Sequence, residues 1–300
     1  MPPPMTAHLT ADQIDRYLAR LGIEQTPPSI ESLFALHRAQ IERIPYESTW
    51  IHLGEHRSID EGSSVAFLVD AGRGGYCFHL NGAFGALLRA LGFRVEVHVG
   101  VVCGDLPDAS AFGNHMVLTV SGLSTEANPS GNWYVDTGLG DGLYEPLPLL
   151  VGRYRQGPME FHLSQPTDGV GDWRLTHDPK GAFVSMSWQT RTATVDEFEV
   201  SHTHLSTSPD SPFVQTVCVQ RRNATTLTAL RALTLSTITG DGKRKSILDD
   251  RVQWFAALHD IFDLRLDNAT DAACDLLWRS ANESHVRHLA RKVGPSETAD

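Results

Sequence analysis

Along this chain the spacing of apolar residues changes from a helical period to a strand period and returns to a helical one near the end, which divides it into parts. Thr10 and Gln13 form a capping box, after which Ile14, Tyr17, Leu18 and Leu21 share one face of a helix that stops at Gly22. Ser29 caps a second helix with Leu33, Leu36, His37, Ile41 and Ile44 in its stripe, ended by Pro45. His37 reads there as a hydrogen-bonded packing residue. A third helix starts at Cys77, with Leu80, Phe84, Leu87, Leu88 and Leu91 on one face and Gly92 just past its end. Gly82 and Gly85 each cost that helix about 1 kcal/mol against alanine, so a close neighbour is expected. Residues 1–92 are predicted to form a helical bundle.

From Phe93 the period is two. Phe93, Val95, Val97, Val99 and Val101 alternate with Arg94, Glu96, His98 and Gly100, which predicts a half-buried strand. Further strands are expected over 115–120, 133–136, 183–188 and 214–220, with a polar turn at 128–132. This middle part, 93–205, reads as an antiparallel sheet or small barrel. Over 206–300 a hairpin running from Leu233 to Thr239 turns at Gly240-Asp241-Gly242. Two helices close the chain, one through Val252, Phe255, Leu258 and Ile261, the other through Leu276, Leu277 and Val286. The fold class is α+β.

Composition narrows the function. The apolar share of 41% is ordinary for a globular chain, and no run is long enough to span a bilayer. The opening Met-Pro-Pro-Pro-Met has neither the basic nor the apolar region of a leader, so a cytoplasmic protein with no membrane partner is expected. A formal charge of -11, spread along the chain, argues against a nucleic-acid surface. The single basic knot, Lys243-Arg244-Lys245, reads as a solvated hairpin tip. Cys77, Cys103, Cys218 and Cys274 are too far apart for a disulfide framework and fit a reducing compartment, with one reactive thiol and three buried ones.

The reactive candidate is Cys77. Arg73-Gly74-Gly75-Tyr76 delivers it to a helix N-terminus, where unpaired amides and the helix dipole favour a thiolate, and Arg73 is expected to add to that effect. A buried structural thiol is the competing reading. His115 begins a strand and Asp136 ends one, so both can leave the sheet toward a cleft. Cysteine, histidine and carboxylate at the ends of separate elements suit nucleophilic acyl transfer: the imidazole takes the thiol proton and the carboxylate orients the ring. His79 is open to two readings, a substrate contact or second base, and an organiser of local hydrogen bonds. Phe213 either shapes the cleft or belongs to the core. Cys77, His79, Cys103 and His115 are metal-ligand types without close ligand spacing, so no metal is expected.

Arg73-Gly74-Gly75-Tyr76-Cys77, then His115, then Val135-Asp136-Thr137-Gly138-Leu139-Gly140-Asp141 resemble the arylamine N-acetyltransferase family. Tyr17-Leu18-Ala19-Arg20-Leu21-Gly22, Leu36-His37, Ile44-Pro45-Tyr46-Glu47 and Ser211-Pro212-Phe213 extend the resemblance over most of the chain. It implies a helical bundle, a β-barrel and an α/β lid around a core like that of cysteine proteases. It also implies ping-pong transfer through a Cys77 thioester, with His115 and Asp136 as the activating pair. No tightly bound cofactor is implied, and acetyl-CoA or another acyl thioester is the co-substrate. The acceptor is a small amine, arylamine or hydrazine.

By the same resemblance Gly138 and Gly140 line the thioester cleft, with Leu139 and Asn114 beside it. Four features depart from the family pattern: His79 for a usual Glu, Asn114 for Thr or Ser, Leu139 for Phe, and Gln40 with Ser48 for His and Asn. An amide synthase taking a larger acyl group from an acyl carrier protein is the second enzyme reading. A non-catalytic binding homologue and a cysteine protease are the others, and a homodimer is compatible with any of them.

Overall fold

The computed structural model describes residues 9–104 and 109–292. The opening Met-Pro-Pro-Pro-Met lies outside them. Five helices come first: α1 (Ala11–Leu21), α2 (Ile30–Arg43), α3 (Thr49–His52), α4 (Glu61–Val69) and α5 (Cys77–Ala90). The capping box at Thr10 forms, and Gly22 closes α1 in the left-handed region at φ 63°. Ser29 caps α2, and Pro45 follows its end. Helices α3 and α4 were not expected. Helix α4 carries a start signal in Asp60, whose side chain accepts from the Ser63 amide, but its Ser-Ser-Val run has no helical apolar stripe. His37 is buried with Nδ1 3.0 Å from the Tyr144 carbonyl, a packing histidine as read from the sequence.

Of the two glycines in α5, only Gly85 has a close neighbour. A Cβ there would lie 3.3 Å from Leu118, whereas at Gly82 nothing comes nearer than 3.9 Å. Helix α5 is thus pressed onto the sheet at one position, and its burial on nearly all sides makes it the central element of the first core.

An eight-stranded antiparallel sheet follows: β2 (Arg94–Cys103), β3 (His115–Ser121), β4 (Trp133–Val135), β5 (Leu147–Pro148), β6 (Gly152–Gln156), β7 (Met159–Ser164), β8 (Trp173–Thr176) and β9 (Ser185–Thr192). Its order, β5-β4-β3-β2-β9-β8-β7-β6, curls it into a nearly closed barrel whose core stacks Tyr134 on Trp188 at 4.7 Å. Strands β6 to β8 have no counterpart among the sequence expectations. Their alternation is nonetheless present in the sequence, with Met159, Phe161 and Leu163 against Glu160, His162 and Ser164 in β7, and Trp173 and Leu175 against Arg174 and Thr176 in β8.

The lid is a five-stranded antiparallel sheet, β1-β10-β11-β12-β13, built from β1 (Tyr46–Glu47), β10 (Cys218–Arg222), β11 (Leu227–Arg231), β12 (Thr234–Thr239) and β13 (Gly242–Ile247). The strand expected over 214–220 therefore begins only at Cys218. Ser211 caps a helical turn, α7 (Pro212–Gln215), with proline in its first position, and α6 (Glu199–Thr207) precedes it. The closing helices, α8 (Arg251–Asp260) and α9 (Asp271–Lys292), exist where expected but bury only part of the expected faces, Leu258 and Leu277 with Phe255 packed beside them. Val252, Ile261, Leu276 and Val286 are exposed, while Trp254, Ala257, Leu258, Leu277 and Ala281 pack under the lid.

Candidate active site

Three elements converge on Cys77. It occupies the first position of α5, and the preceding Tyr76 supplies no side-chain cap, so the helix start is left to whatever lies in front of it. The approach is crowded enough to require glycine. A Cβ on Gly74 would sit 1.9 Å from the Pro45 carbonyl, and one on Gly138 would sit 2.7 Å from the Cys77 Cα. The second contact presses the turn after β4 directly onto the nucleophile candidate.

His115 at the start of β3 places Nε2 2.8 Å from Asp136 Oδ2, and Cys77 is near enough to act on its charge. The Cys77 Sγ lies 3.7 Å from the Asn114 carbonyl oxygen. Both His115 and Asp136 are almost wholly buried. Burial alone would discharge His115. The adjacent Asp136 carboxylate and Cys77 overcome it and push the imidazolium up to about 10. Burial likewise disfavours the Asp136 carboxylate, yet His115, Asn81 and Tyr134 hold it below the usual range.

Four donors surround that carboxylate: His115 and the Tyr134 hydroxyl on Oδ2, the Asn81 amide and the Gly138 N–H on Oδ1, all at 2.8–2.9 Å. Asn81 also donates to the Met116 carbonyl at 2.7 Å and accepts from the Thr137 amide at 2.8 Å. It ties α5, β3 and the β4 turn together at one point. Neither Asn81 nor Tyr134 stands out in the sequence, although spacing carried both. Asn81 is one helical turn after Cys77, and Tyr134 is two strand positions before Asp136.

Other expected site residues fare differently. Arg73 is buried and committed elsewhere, 3.1 Å from Glu47, 3.5 Å from Glu55 and 2.8 Å from Thr49 Oγ1. Its charge is compensated before it reaches Cys77, contrary to expectation. The Asn114 side chain is clamped to the Val102 backbone at 2.8 and 3.1 Å and only its carbonyl faces Cys77. Leu139 points into the barrel core beside Val117 and Tyr134. Gly140 has φ 70° and a Cβ there would meet Gln220 at 2.9 Å, so this turn touches the lid. Phe213 lines a cleft of about 360 Å³ between lid and barrel, with its ring 5.3 Å from Tyr76. The remaining thiols are Cys103, buried, Cys218, buried at the cleft wall, and Cys274, which is only half-buried.

His79 does not reach the cleft. It is fully buried in a box of rings, stacked on Tyr76 at 5.0 Å and edge-on to Trp50 at 5.4 Å, with Phe67 and His202 completing the enclosure. Neither ring nitrogen has a hydrogen-bond partner. Burial, with the nearby His202 and Arg57, drives its pKa down to about 3. Both readings from sequence are thus replaced by a third: a neutral packing ring beneath the turn that carries Cys77.

A family model described as N-acetyltransferase matches residues 29–271. The chain belongs to the arylamine N-acetyltransferase family. It is 28% identical to rabbit (Oryctolagus cuniculus) arylamine N-acetyltransferase 1 over 232 residues, 68% of this chain and 76% of that one. It is 31% identical to the Mycolicibacterium smegmatis arylamine N-acetyltransferase over 207 residues, 66% and 72% of the two chains. Among solved structures, the Nocardia farcinica arylamine N-acetyltransferase superposes with a TM-score of 0.78 at 29% identity, covering 92% of this chain and 98% of its own.

In this member of the family two departures at the N-terminal signature have structural uses. Gln40 accepts a hydrogen bond from the buried Tyr17 hydroxyl at 2.9 Å, and Ser48 accepts from the Cys218 amide at 3.1 Å. No helix among the described residues is long and apolar enough to cross a membrane.

Proposed function

We propose that Cys77 accepts an acyl group from a thioester donor, acetyl-CoA in the simplest case, and passes it to an arylamine, another amine or a hydrazine. The observation that carries this reading is the cluster of Cys77, His115 and Asp136, in which a buried carboxylate holds the imidazole beside the helix start that bears the thiol. His115, oriented by Asp136, is placed to take the thiol proton as the Cys77 sulfur attacks.

The Cys77 sulfur attacks the thioester carbonyl, the bond to the donor sulfur breaks, and the leaving thiolate takes the proton from His115. An amine then attacks the new thioester on Cys77. Its proton passes to His115 and on to the Cys77 sulfur as the carbon–sulfur bond breaks, which restores the starting thiol. Asp136 stays ionised throughout and fixes the ring by its bond to Nε2. Amide formation from a larger, carrier-bound acyl group runs through the same steps with only the leaving thiol changed.

Intact-mass measurement after incubation with acetyl-CoA tests the first half. One acetyl group on Cys77, absent from Cys77→Ala and discharged by an arylamine, is the expected result. Failure of acetyl-CoA and every other thioester to load the protein would sink the proposal.

A further inference from the structure

The basic knot at Lys243-Arg244-Lys245 has a setting that the transfer chemistry leaves unused. On the lid sheet, cross-strand partners form a continuous row: Tyr46, Gln220, Ala229, Ser236, Lys245. The row starts beside the nucleophile's turn, because Tyr46 on β1 bridges to Gly75. Four inter-strand steps of about 4.8 Å carry it roughly 19 Å, to β13 at the outer edge of the sheet. Small and amide side chains occupy its middle, and apart from Tyr46 all of its members line the cleft that also contains Phe213 and Cys218. The row thus runs from the outer edge of the sheet, along the cleft, to the strand that bridges to the nucleophile's turn.

The cleft as a whole is cationic, and its far edge carries Lys243 and Lys245 on β13. Of the Asp, Glu, Lys and Arg residues lining the cleft, five are cations (Lys180, Arg231, Lys243, Lys245 and Arg287) and the one anion is Asp141. This holds in a chain with 36 acidic and 25 basic residues, so the sign is a local feature. Asp141 is buried and accepts from the Ala182 amide. Lys180 is 3.3 Å from Asp178, and Arg287 is 3.9 Å from Glu283. Among the described residues no carboxylate forms a salt bridge with Arg231, Lys243 or Lys245, and all three are exposed.

The form of this charge selects the kind of anion. A site that grips a small polyphosphate converges backbone amides from a helix start or glycine turn, or arginine forks. Here Lys243 and Lys245 stand as single cations on the exposed edge strand, with Lys180, Arg231 and Arg287 contributed by other segments, an arrangement that suits steering and orienting a protein partner. We propose that this lid face is a docking surface for an acidic acyl carrier protein. Its phosphopantetheine arm lies along the row toward Cys77, and its phosphodiester and acidic surface meet Lys243, Lys245 and Arg287. The proposal rests on acyl transfer through Cys77. The arm's carbon–sulfur bond breaks as the bond to the Cys77 sulfur forms, and the arm leaves as a thiol with the proton from His115.

Single-turnover loading of the full-length protein, followed by intact mass, provides the test. The donors are one acyl group presented on an acyl carrier protein, on CoA and on pantetheine. Lys243→Glu with Lys245→Glu, and separately Arg287→Glu, are expected to lower the carrier rate relative to the pantetheine rate by about tenfold. Added salt should do the same to the unmodified protein. Thermal melting of each variant separates docking from misfolding. A drop confined to the CoA donor would overturn the proposal by assigning the lysines to a nucleotide's phosphates, as would a carrier rate indifferent to charge reversal. Loading by CoA and pantetheine but never by a carrier also overturns it while leaving the transfer reading intact. No loading by any donor would instead remove the transfer reading itself.

Discussion

Two histidines lie buried within a few residues of the nucleophile's turn or directly against it, and they are driven to opposite charge states. His115 faces a carboxylate at 2.8 Å and is raised to about 10, while His79 faces only rings and is lowered to about 3. Burial pushes both the same way, so the difference is made by one partner. A carboxylate in contact outweighs desolvation, and aromatic faces do not. The two environments also differ in completeness: every oxygen of Asp136 is bonded, whereas both nitrogens of His79 are orphans.

Removing the carboxylate is the most severe way to break this contrast. Asp136→Asn keeps the shape but takes away the charge that holds His115 protonated. Loading of Cys77 is expected to fall by about 10⁴, in the range seen when a triad carboxylate is lost. The same change should bring the His115 titration, followed by NMR of the ring, down from about 10. A near-normal loading rate in this variant would show that His115 needs no orienting carboxylate.

The pH dependence of stability sharpens the contrast, because the two histidines act on opposite limbs. His115 is raised in the folded state, so its contribution is present below about 6.5 and is lost as pH rises through about 10. His79 is lowered, so the unfolded chain binds its proton first, and stability falls as pH drops from about 6.5 toward 3. His37 and His52, both lowered by burial to about 4, steepen the same acid limb. His79→Phe should flatten that limb by about one proton, or roughly 1.4 kcal/mol per pH unit between those values. Denaturant melts at pH 7 and pH 5 measure it, and an unchanged slope would mean that the box admits a proton.

The smallest change tests how far completeness matters. Tyr134→Phe deletes one of four donors to Asp136 and leaves the ring on Trp188. A loss of about 1–2 kcal/mol and a few-fold slower loading are expected. No effect on either would show three donors to be sufficient.

Much of this was legible in the amino-acid order. Helices α1, α2 and α5 announce themselves through caps, period and terminal glycines, because local hydrogen bonding and burial of one stripe suffice to form them. The nucleophile at a helix start is equally local, and so is the run of alternating valines in β2. His115 and Asp136 stood out as strand-end residues on the same grounds.

What stayed hidden depended on neighbours distant in sequence. The order in which β6 to β8 close the barrel is set by partners outside each strand, and the lid decides which residues of α8 and α9 are buried. Arg73 reads as an aid to the thiol until Glu47 and Glu55 are placed on it. Local order alone determined which residues could carry the chemistry and which helix would present the thiol. Only the tertiary structure decided which histidine holds a proton, where the arginine's charge is spent and which way the edge lysines face. Those outcomes are set by through-space contacts between separate segments, such as His115 with Asp136 and Arg73 with Glu47, which no local pattern encodes.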